Sequence, residues 1–327
     1  GATHLHDEAP GKVALHWSGG DHDAVDAAFA GAAPVTRLRL TNNRVSVVPM
    51  EPRGAIASFE GGRWTVETGC QGVFGLRAQL AGQLGVEIDQ MRVLSNDIGG
   101  SFGMKASVFP EHLPLLHAAE QLGGPVKWIN DRSESFITDY HGRDSVFEAA
   151  LALDADGHFL AVKLDGLGNL GAYAAGFGAA VPTMVLQKSL ASVYRTPVMA
   201  IDVRLVFTTT TPTTAYRGAG RPEAIYIMER LVEAAARETG RDPVALRRLN
   251  LIPAEAMPFE AASGLTYDSG EFERHLDLAL ERANWADFNT RKGAAKARGK
   301  LRGIGVTTYL EVTAPPGKEM GGVRFDA

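Results

Sequence analysis

The stretch Ile98-Gly99-Gly100-Ser101-Phe102-Gly103-Met104-Lys105 decides how this chain is read. An apolar run, Met91 to Leu94, precedes it and reads as a short buried strand. Far downstream, Ala215-Tyr216-Arg217-Gly218-Ala219-Gly220-Arg221-Pro222 has the same character. Both set glycines beside a large or basic side chain at a junction between regular elements. Glycine admits positive φ and lets backbone N–H groups come close to a ligand. Two such loops, once converged, make a pocket for an anionic, oxygen-rich ligand. The first lacks the Lys-Ser/Thr ending of a P-loop, and its glycines miss the dinucleotide G-x-G-x-x-G spacing. On pattern alone each reads as a tight turn before it reads as a ligand cradle.

Working outward, Arg63 to Glu67 reads as a strand ending at Thr68-Gly69-Cys70-Gln71. Val73, Leu76, Leu80 and Leu84 recur at helical spacing, which predicts a helix directly after it. Gln71 therefore falls at a strand-to-helix junction, where side chains and free N–H groups can face a ligand. Pro110 to Leu122, closed by Gly123-Gly124, predicts a second helix, and Val126 to Ile129 a strand. Asp131-Arg132-Ser133-Glu134 reads as a turn into a charged segment ending at His141-Gly142-Arg143. There His141 is either functional or a surface or network histidine. Upstream, Val35 to Val48 reads as two strands around Asn42-Asn43. Met50-Glu51-Pro52-Arg53-Gly54 reads as a turn, with Glu51 either a buried acid in a pocket or a surface partner for Arg53, the surface reading being preferred. Residues 1–20 read as a polar, exposed terminus, and His4 and His6 have no third ligand nearby for a metal.

Downstream, Val146 to Leu153 and His158 to Leu164 alternate around Asp154-Ala155-Asp156-Gly157, the pattern of a β-hairpin. Gly166 to Gly178 either lines a cavity or packs closely. Val198 to Phe207 reads as a strand, and Pro222 to Thr239 as a helix that Gly240 ends. Its Ile225, Met228, Leu231, Val232 and Ala235 share one face. Further helices are expected over Asp242 to Leu249 and Gly270 to Asn284. The tail from Leu301 begins strand-like, and the break from Ala262 to Ser269 is the candidate internal boundary.

At 327 residues the chain can bury a large core in one large domain or two. Apolar residues are 45% and charged residues 22%, an ordinary globular balance. A net charge of −5 gives no reason to expect nucleic-acid binding. The cluster from Arg291 to Arg302 is too narrow to track a phosphate backbone and reads as a solvated helix end or loop. The one cysteine, Cys70, excludes an intrachain disulfide framework and a cysteine-ligated iron–sulfur cluster within the chain. No long apolar span or secretory leader is visible, so the expected compartment is the cytoplasm.

Taken together, Gln71 and the two loops resemble the molybdenum-binding large subunit of the xanthine dehydrogenase/aldehyde oxidase family. The bacterial branch with separate subunits, which includes carbon monoxide dehydrogenase-like proteins, looks closest. The resemblance runs from Asp7-Glu8-Ala9-Pro10 through Pro49-Met50-Glu51-Pro52-Arg53 to Arg241-Asp242-Pro243. Its specificity lies in the order and spacing of the motifs. It implies an α+β fold of mixed sheets with packed helices. Residues 1–262 would form the main part of the first molybdopterin-binding domain. Residues 263–327 would form a helical segment and the truncated start of the next part.

The resemblance also implies molybdenum held by a pterin dithiolene, in the cytosine dinucleotide form, with no protein ligand to the metal. Gln71 matches the family's glutamine that hydrogen-bonds an oxo ligand of molybdenum. Gly99, Gly100, Ser101, Phe102 and Gly103 match the loop that packs its backbone against the metal's ligands. Arg217, followed by Gly218, matches the arginine beside the cofactor. Gln71 and Arg217 are thus the catalytic candidates, and these eight positions the cofactor-binding ones. The chemistry agrees, since an amide donates to an oxo group without adding charge and free N–H groups stabilise negative oxygen. Arg217 stays protonated and offers a planar fork of donors.

The departures narrow the implied function. Gly218 stands where true carbon monoxide dehydrogenases carry copper on a cysteine, so copper is not expected. Ala106 and Ala219 stand where purine hydroxylases have a glutamate and an aromatic ring, which removes the means of reading a purine. The family's general-base glutamate, near the C-terminus of a much longer subunit, has no match here. The implied chain is an excised or split first molybdenum domain. In the assembled enzyme it would hydroxylate an aldehyde or an aromatic N-heterocycle with water as oxygen source. Electrons would leave through 2Fe–2S and FAD subunits. The alternative is a non-catalytic scaffold that keeps the fold. Alone, the chain is expected to fold, bind no cofactor and be inactive, with Gln71 and the loops forming a shallow, open surface.

Overall fold

The computed structural model describes residues 4–311. The chain opens with β1 (Val13–Gly20), α1 (His22–Gly31) and β2 (Val35–Asn42). It then builds a second body from β3 (Gly54–Glu60), β4 (Arg63–Thr68), α2 (Val73–Leu84), β5 (Met91–Leu94), α3 (His112–Leu122), β6 (Val126–Ile129) and α4 (Arg132–Thr138). It returns to the first body with β7 (Ser145–Leu153), β8 (Phe159–Gly171), α5 (Leu186–Ser189), β9 (Val198–Phe207), α6 (Arg221–Thr239) and α7 (Pro243–Asn250). A short hairpin of β10 (Phe259–Glu260) and β11 (Thr266–Tyr267) leads to α8 (Phe272–Arg282) and α9 (Phe288–Ala297). This is the α+β architecture expected, mixed sheets with packed helices.

The larger sheet runs β1-β9-β8-β7-β2, parallel only at β8–β9. Alternate residues of three strands, among them Phe147, Leu151, Leu164, Ile201 and Val203, are buried in one cluster with Ile227, Leu231 and Val232 of α6. Burying each such side chain contributes about 1.5–3 kcal/mol, so this face carries most of the driving force. On the other face small residues, Ala152, Ala161 and Ala200, make room for Val25 of α1. Helix α6 begins where Glu223 accepts the Gly220 N–H and ends at Gly240 with φ 67°.

The smaller sheet runs β5-β4-β3-β6 and buries Ala57, Val66 and Met91 with Leu76 and Leu80 of α2 and Leu116 of α3. This body is an insertion into the larger one. Asn42, the last residue of β2, pairs with Ser145, the first of β7, so the chain leaves and re-enters at one point. Val45 and Gly142 then bond each other's backbones at 3.0 and 2.9 Å, closing the stem.

Several expectations are corrected. Residues 13–20 form a strand, not an exposed tail. As an edge strand paired only with β9, β1 leaves most side chains in solvent and so shows no apolar alternation. His6 is not a free terminal residue: its Nε2 donates to the Ala172 carbonyl at 2.6 Å and its ring lies 4.4 Å from Phe207. Val35 to Val48 is one strand, because β2 stops where β7 begins and only Val45 pairs again. Asp131–Glu134 starts helix α4 instead of a turn. Asp131 accepts the Glu134 N–H at 2.8 Å and Glu134 accepts the Asp131 N–H at 3.3 Å, a reciprocal cap.

Gly166 to Gly178 packs closely at its start, where a Cβ on Gly166 would lie 2.5 Å from Phe147 Cδ1. Residues 301–311 form no strand. Val306 and Leu310 lie against the main core, and Thr308 Oγ1 is 2.6 Å from the Tyr194 hydroxyl. The rest of the tail lies outside the described residues. No helix among the described residues is long and apolar enough to cross a membrane.

Candidate functional site

Strands β4 and β5 are parallel, so the loops that follow them emerge side by side. That topology brings Gln71 to the first glycine loop. The Gln71 N–H donates to the Lys105 carbonyl at 3.0 Å. Its side-chain Oε1 accepts the Ser101 hydroxyl at 2.6 Å and the Gly103 N–H at 2.8 Å. A backbone N–H can only donate, so the amide oxygen must face the loop and the NH2 must face away. That NH2 has no acceptor among the described residues, and Gln71 is exposed. The side chain is therefore locked as a donor.

The second loop docks on the first. Phe102 C=O accepts the Arg217 N–H at 2.8 Å. Since C=O and N–H of one peptide point opposite ways, the peptide joining Phe102 to Gly103 binds Arg217 on one side and Gln71 on the other. Only glycine fits at 103: φ is 102°, and a Cβ would sit 2.6 Å from the Ala215 carbonyl oxygen. Phe102 itself holds a φ of 52°, uncommon for a bulky residue and a strain these bonds maintain. The Arg217 guanidinium is exposed, lies 5.7 Å from the Phe102 ring centre, and pairs with no carboxylate among the described residues. The N–H groups of Gly100, Ser101, Phe102 and Gly218 donate to no acceptor there either. Gly99 lies against Glu51, where a Cβ would meet Glu51 Cβ at 2.4 Å.

Glu51 is not the surface partner of Arg53. It bonds Lys105 Nζ at 2.6 Å and the Gly99 N–H at 3.0 Å, tying both ends of the loop to the 49–53 turn. Burial raises the Glu51 carboxyl, but the Lys105 ammonium and the Gly99 N–H outweigh it, leaving the pKa below its ordinary value. Arg53 turns the other way, donating to Asp139 at 2.7 Å, pairing with Glu111, and stacking 3.8 Å from the Phe109 ring centre. Lys105 and Glu51 were missed as a pair because 54 residues separate them.

His141 is a network histidine. Its Nδ1 accepts from Arg44 at 3.2 Å, so Nε2 carries the proton towards Ser46 Oγ at 3.1 Å. Burial and then the Arg44 charge lower its pKa. The only cluster of three candidate metal ligands among the described residues, Asp154, Asp156 and His158, lies on the β7–β8 turn.

The donor set therefore fits the cofactor implied by the motifs. An amide NH2, free N–H groups on a glycine-rich loop and an unpaired guanidinium hold an anionic, oxygen-rich group by hydrogen bonds. Cys70 beside Gln71 is buried and leaves the surface without a thiolate ligand. A Cβ on Gly218 would lie 2.5 Å from Pro222 Cγ at a φ of 91°, so a cysteine does not fit there.

Residues 5–251 match the molybdopterin cofactor-binding domain family. The 6-hydroxypseudooxynicotine dehydrogenase complex subunit gamma of Paenarthrobacter nicotinovorans is 34% identical, over 96% of this chain and 41% of its own. The carbon monoxide dehydrogenase large chain of Hydrogenophaga pseudoflava is 32% identical, over 92% and 39%. Quinoline 2-oxidoreductase from Pseudomonas putida 86 superposes with a TM-score of 0.82 at 32% identity, covering 88% of this chain and 37% of that one. The chain thus spans about two-fifths of the length of these relatives. Motifs, fold and sequence similarity agree: the chain belongs to the molybdopterin cofactor-binding domain family, that of the xanthine dehydrogenase and carbon monoxide dehydrogenase large chains.

Proposed function

We propose that this chain supplies one wall of the cofactor site in a molybdenum hydroxylase acting on an aldehyde or an aromatic N-heterocycle. The observation that carries the reading is the locked Gln71 amide, whose oxygen is spent on the first loop and whose NH2 faces out. When bound, the molybdenum cofactor supplies a two-electron redox centre and draws its oxygen from water. The chain's own part is orientation and charge. Gln71 donates to an oxygen without changing net charge, the free N–H groups of Gly100 to Phe102 and of Gly218 face anionic oxygens, and Arg217 balances charge. Gly99 and Gly103 let the first loop pack closely on Glu51 and on the second loop, which holds these donors in place.

Within the same reading, the cofactor is the cytosine dinucleotide form. 2Fe–2S and FAD subunits take the electrons, and the general base comes from outside the described residues. The cytoplasm is the proposed compartment. Residues 1–262 form the main part of the first cofactor domain, and residues 263–327 lead into the next. The chain by itself binds no cofactor and is inactive, because its donors line an open surface.

The scaffold reading draws on the two small residues Ala106 and Ala219, which offer a substrate no polar contact. Metal analysis of the intact enzyme separates the two: stoichiometric molybdenum supports the hydroxylase, and repeated absence supports the scaffold. Gln71→Glu tests the residue itself. The carboxylate keeps both acceptor bonds but loses the donor and adds a charge. Turnover should fall by on the order of 10²–10³-fold with little change in the unfolding midpoint. Unchanged turnover removes Gln71 from the site.

A further inference from the structure

We infer that Arg143 is a positioning residue that sets the plane of the Arg217–Gly218 peptide, so that the Gly218 N–H is presented as a donor to an anionic oxygen ligand. The inference rests on the function proposed above only for what that ligand is.

Arg143 binds the second loop from behind. Its Nη1 donates to the Tyr216 carbonyl at 3.0 Å and to Glu223 Oε1 at 2.8 Å, and its Nη2 donates to the Arg217 carbonyl at 3.0 Å. The guanidinium carbon also lies 5.1 Å from the Tyr216 ring centre. One planar fork thus fixes two successive carbonyls, a task a single ammonium point charge does not perform. The Arg217 carbonyl points at Arg143, so the N–H of the same planar peptide, that of Gly218, must point the opposite way. That N–H donates to nothing among the described residues. With the carbonyl released, the peptide next to a glycine is free to turn over and present an oxygen to the same ligand.

The surroundings hold Arg143 at a conformational cost. Arg143 and Asp144 both occupy the left-handed region, with φ of 66° and 76°. Asp144 is fixed by its N–H to the Asn42 carbonyl at 3.1 Å, by the Asn169 N–H to its own carbonyl at 3.0 Å, and by Arg44 Nε at 2.8 Å. Gly142 seats Tyr216, since a Cβ there would lie 2.3 Å from Tyr216 Cβ. Glu223, the other partner of Arg143, accepts the Gly220 N–H at 2.9 Å through Oε2. A single carboxylate therefore joins Arg143 to the start of α6.

Two variants of the intact enzyme test this. Arg143→Lys keeps a positive charge on Glu223 but spans only one carbonyl. The double variant Arg143→Met with Glu223→Gln removes the buried charges together and decides the matter should the lysine variant fold poorly. The first readout is amide hydrogen exchange of residues 216–220, with strands β8 and β9 as internal reference. Exchange should quicken on the order of tenfold or more in both variants, the weight of one charge-assisted hydrogen bond, while the reference stays put. Unchanged exchange overturns the positioning role. The second readout is molybdenum per chain after gel filtration, with the EPR signature of the reduced metal. Both should change with the loop, and a quickened loop with unaltered metal content and spectrum overturns the donor role of Gly218. A wild-type enzyme without molybdenum overturns the proposed function, and the exchange result still decides the positioning.

Discussion

His112 should make this protein lose stability as the pH falls below neutrality. The residue opens helix α3, is 7% exposed, and its Nδ1 accepts the Phe109 N–H at 3.0 Å. An accepting Nδ1 places the proton of the neutral ring on Nε2. Protonation destroys that acceptor and puts a second cation beside Arg53. Burial, and after it the Arg53 charge, push the His112 pKa down from 6.5 to about 4. The unfolded chain takes up this proton around pH 6.5, whereas the folded chain waits until about pH 4. Between those values the unfolded state binds more protons, so the contribution is complete above pH 6.5 and is lost as the pH falls to about 4. At about 1.4 kcal/mol per pH unit, the gap amounts to roughly 3 kcal/mol. Carboxylates titrate in the same range, so the measurement is a difference. Urea unfolding of the protein and of His112→Asn, from neutral pH to about pH 4.5, isolates it, because the Asn Oδ1 keeps the acceptor and does not titrate. The wild type should lose roughly 2–3 kcal/mol relative to the variant over that range. Parallel stability curves refute the reasoning.

Gly103→Ala forces a β-carbon to within 2.6 Å of the Ala215 carbonyl oxygen at a φ of 102°, and should cost about 2–4 kcal/mol in urea unfolding. An unchanged midpoint would mean that the loops are not packed as described. Arg247→Met strands Glu229, which is 8% exposed and bonded to Arg247 Nε at 2.9 Å, at a cost of about 3–5 kcal/mol. Adding Glu229→Gln should restore much of that loss, and failure to do so would refute the ion-pair argument.

The elements legible in the sequence were those whose cause is local. Helix α6 announced itself through a five-residue apolar face, Pro222 at its start and Gly240 at its end, and the β7–β8 hairpin through alternation around Asp154 to Gly157. The two glycine loops were legible as turns because positive φ is a property of single residues. Strand β1 was not, because an edge strand needs no apolar pattern to pair with β9. Helix α4 carried a readable cap in Asp131 and Glu134, but its seven residues are too few to show a period. The Glu51–Lys105 pair and the grip of Arg143 on the second loop were illegible for a different reason. Both are made between segments far apart in sequence, and charge alone does not say which partner a side chain will meet.

The insertion of the smaller body at the β2–β7 junction has a consequence in time. Gln71 and the first loop grow from the smaller core, while Arg217 and Gly218 grow from the larger one. Neither core contains the complete set of donors, so the cradle cannot form before the two bodies meet at the seam, and it does not outlast their parting. Parting the seam by an ångström or so breaks the bond from Arg217 N–H to Phe102 and draws Arg217 and Gly218 away from the Gln71 amide, with every strand still paired. A ligand lying across both loops then works as a clasp. It favours the closed seam through mass action alone, without touching either core.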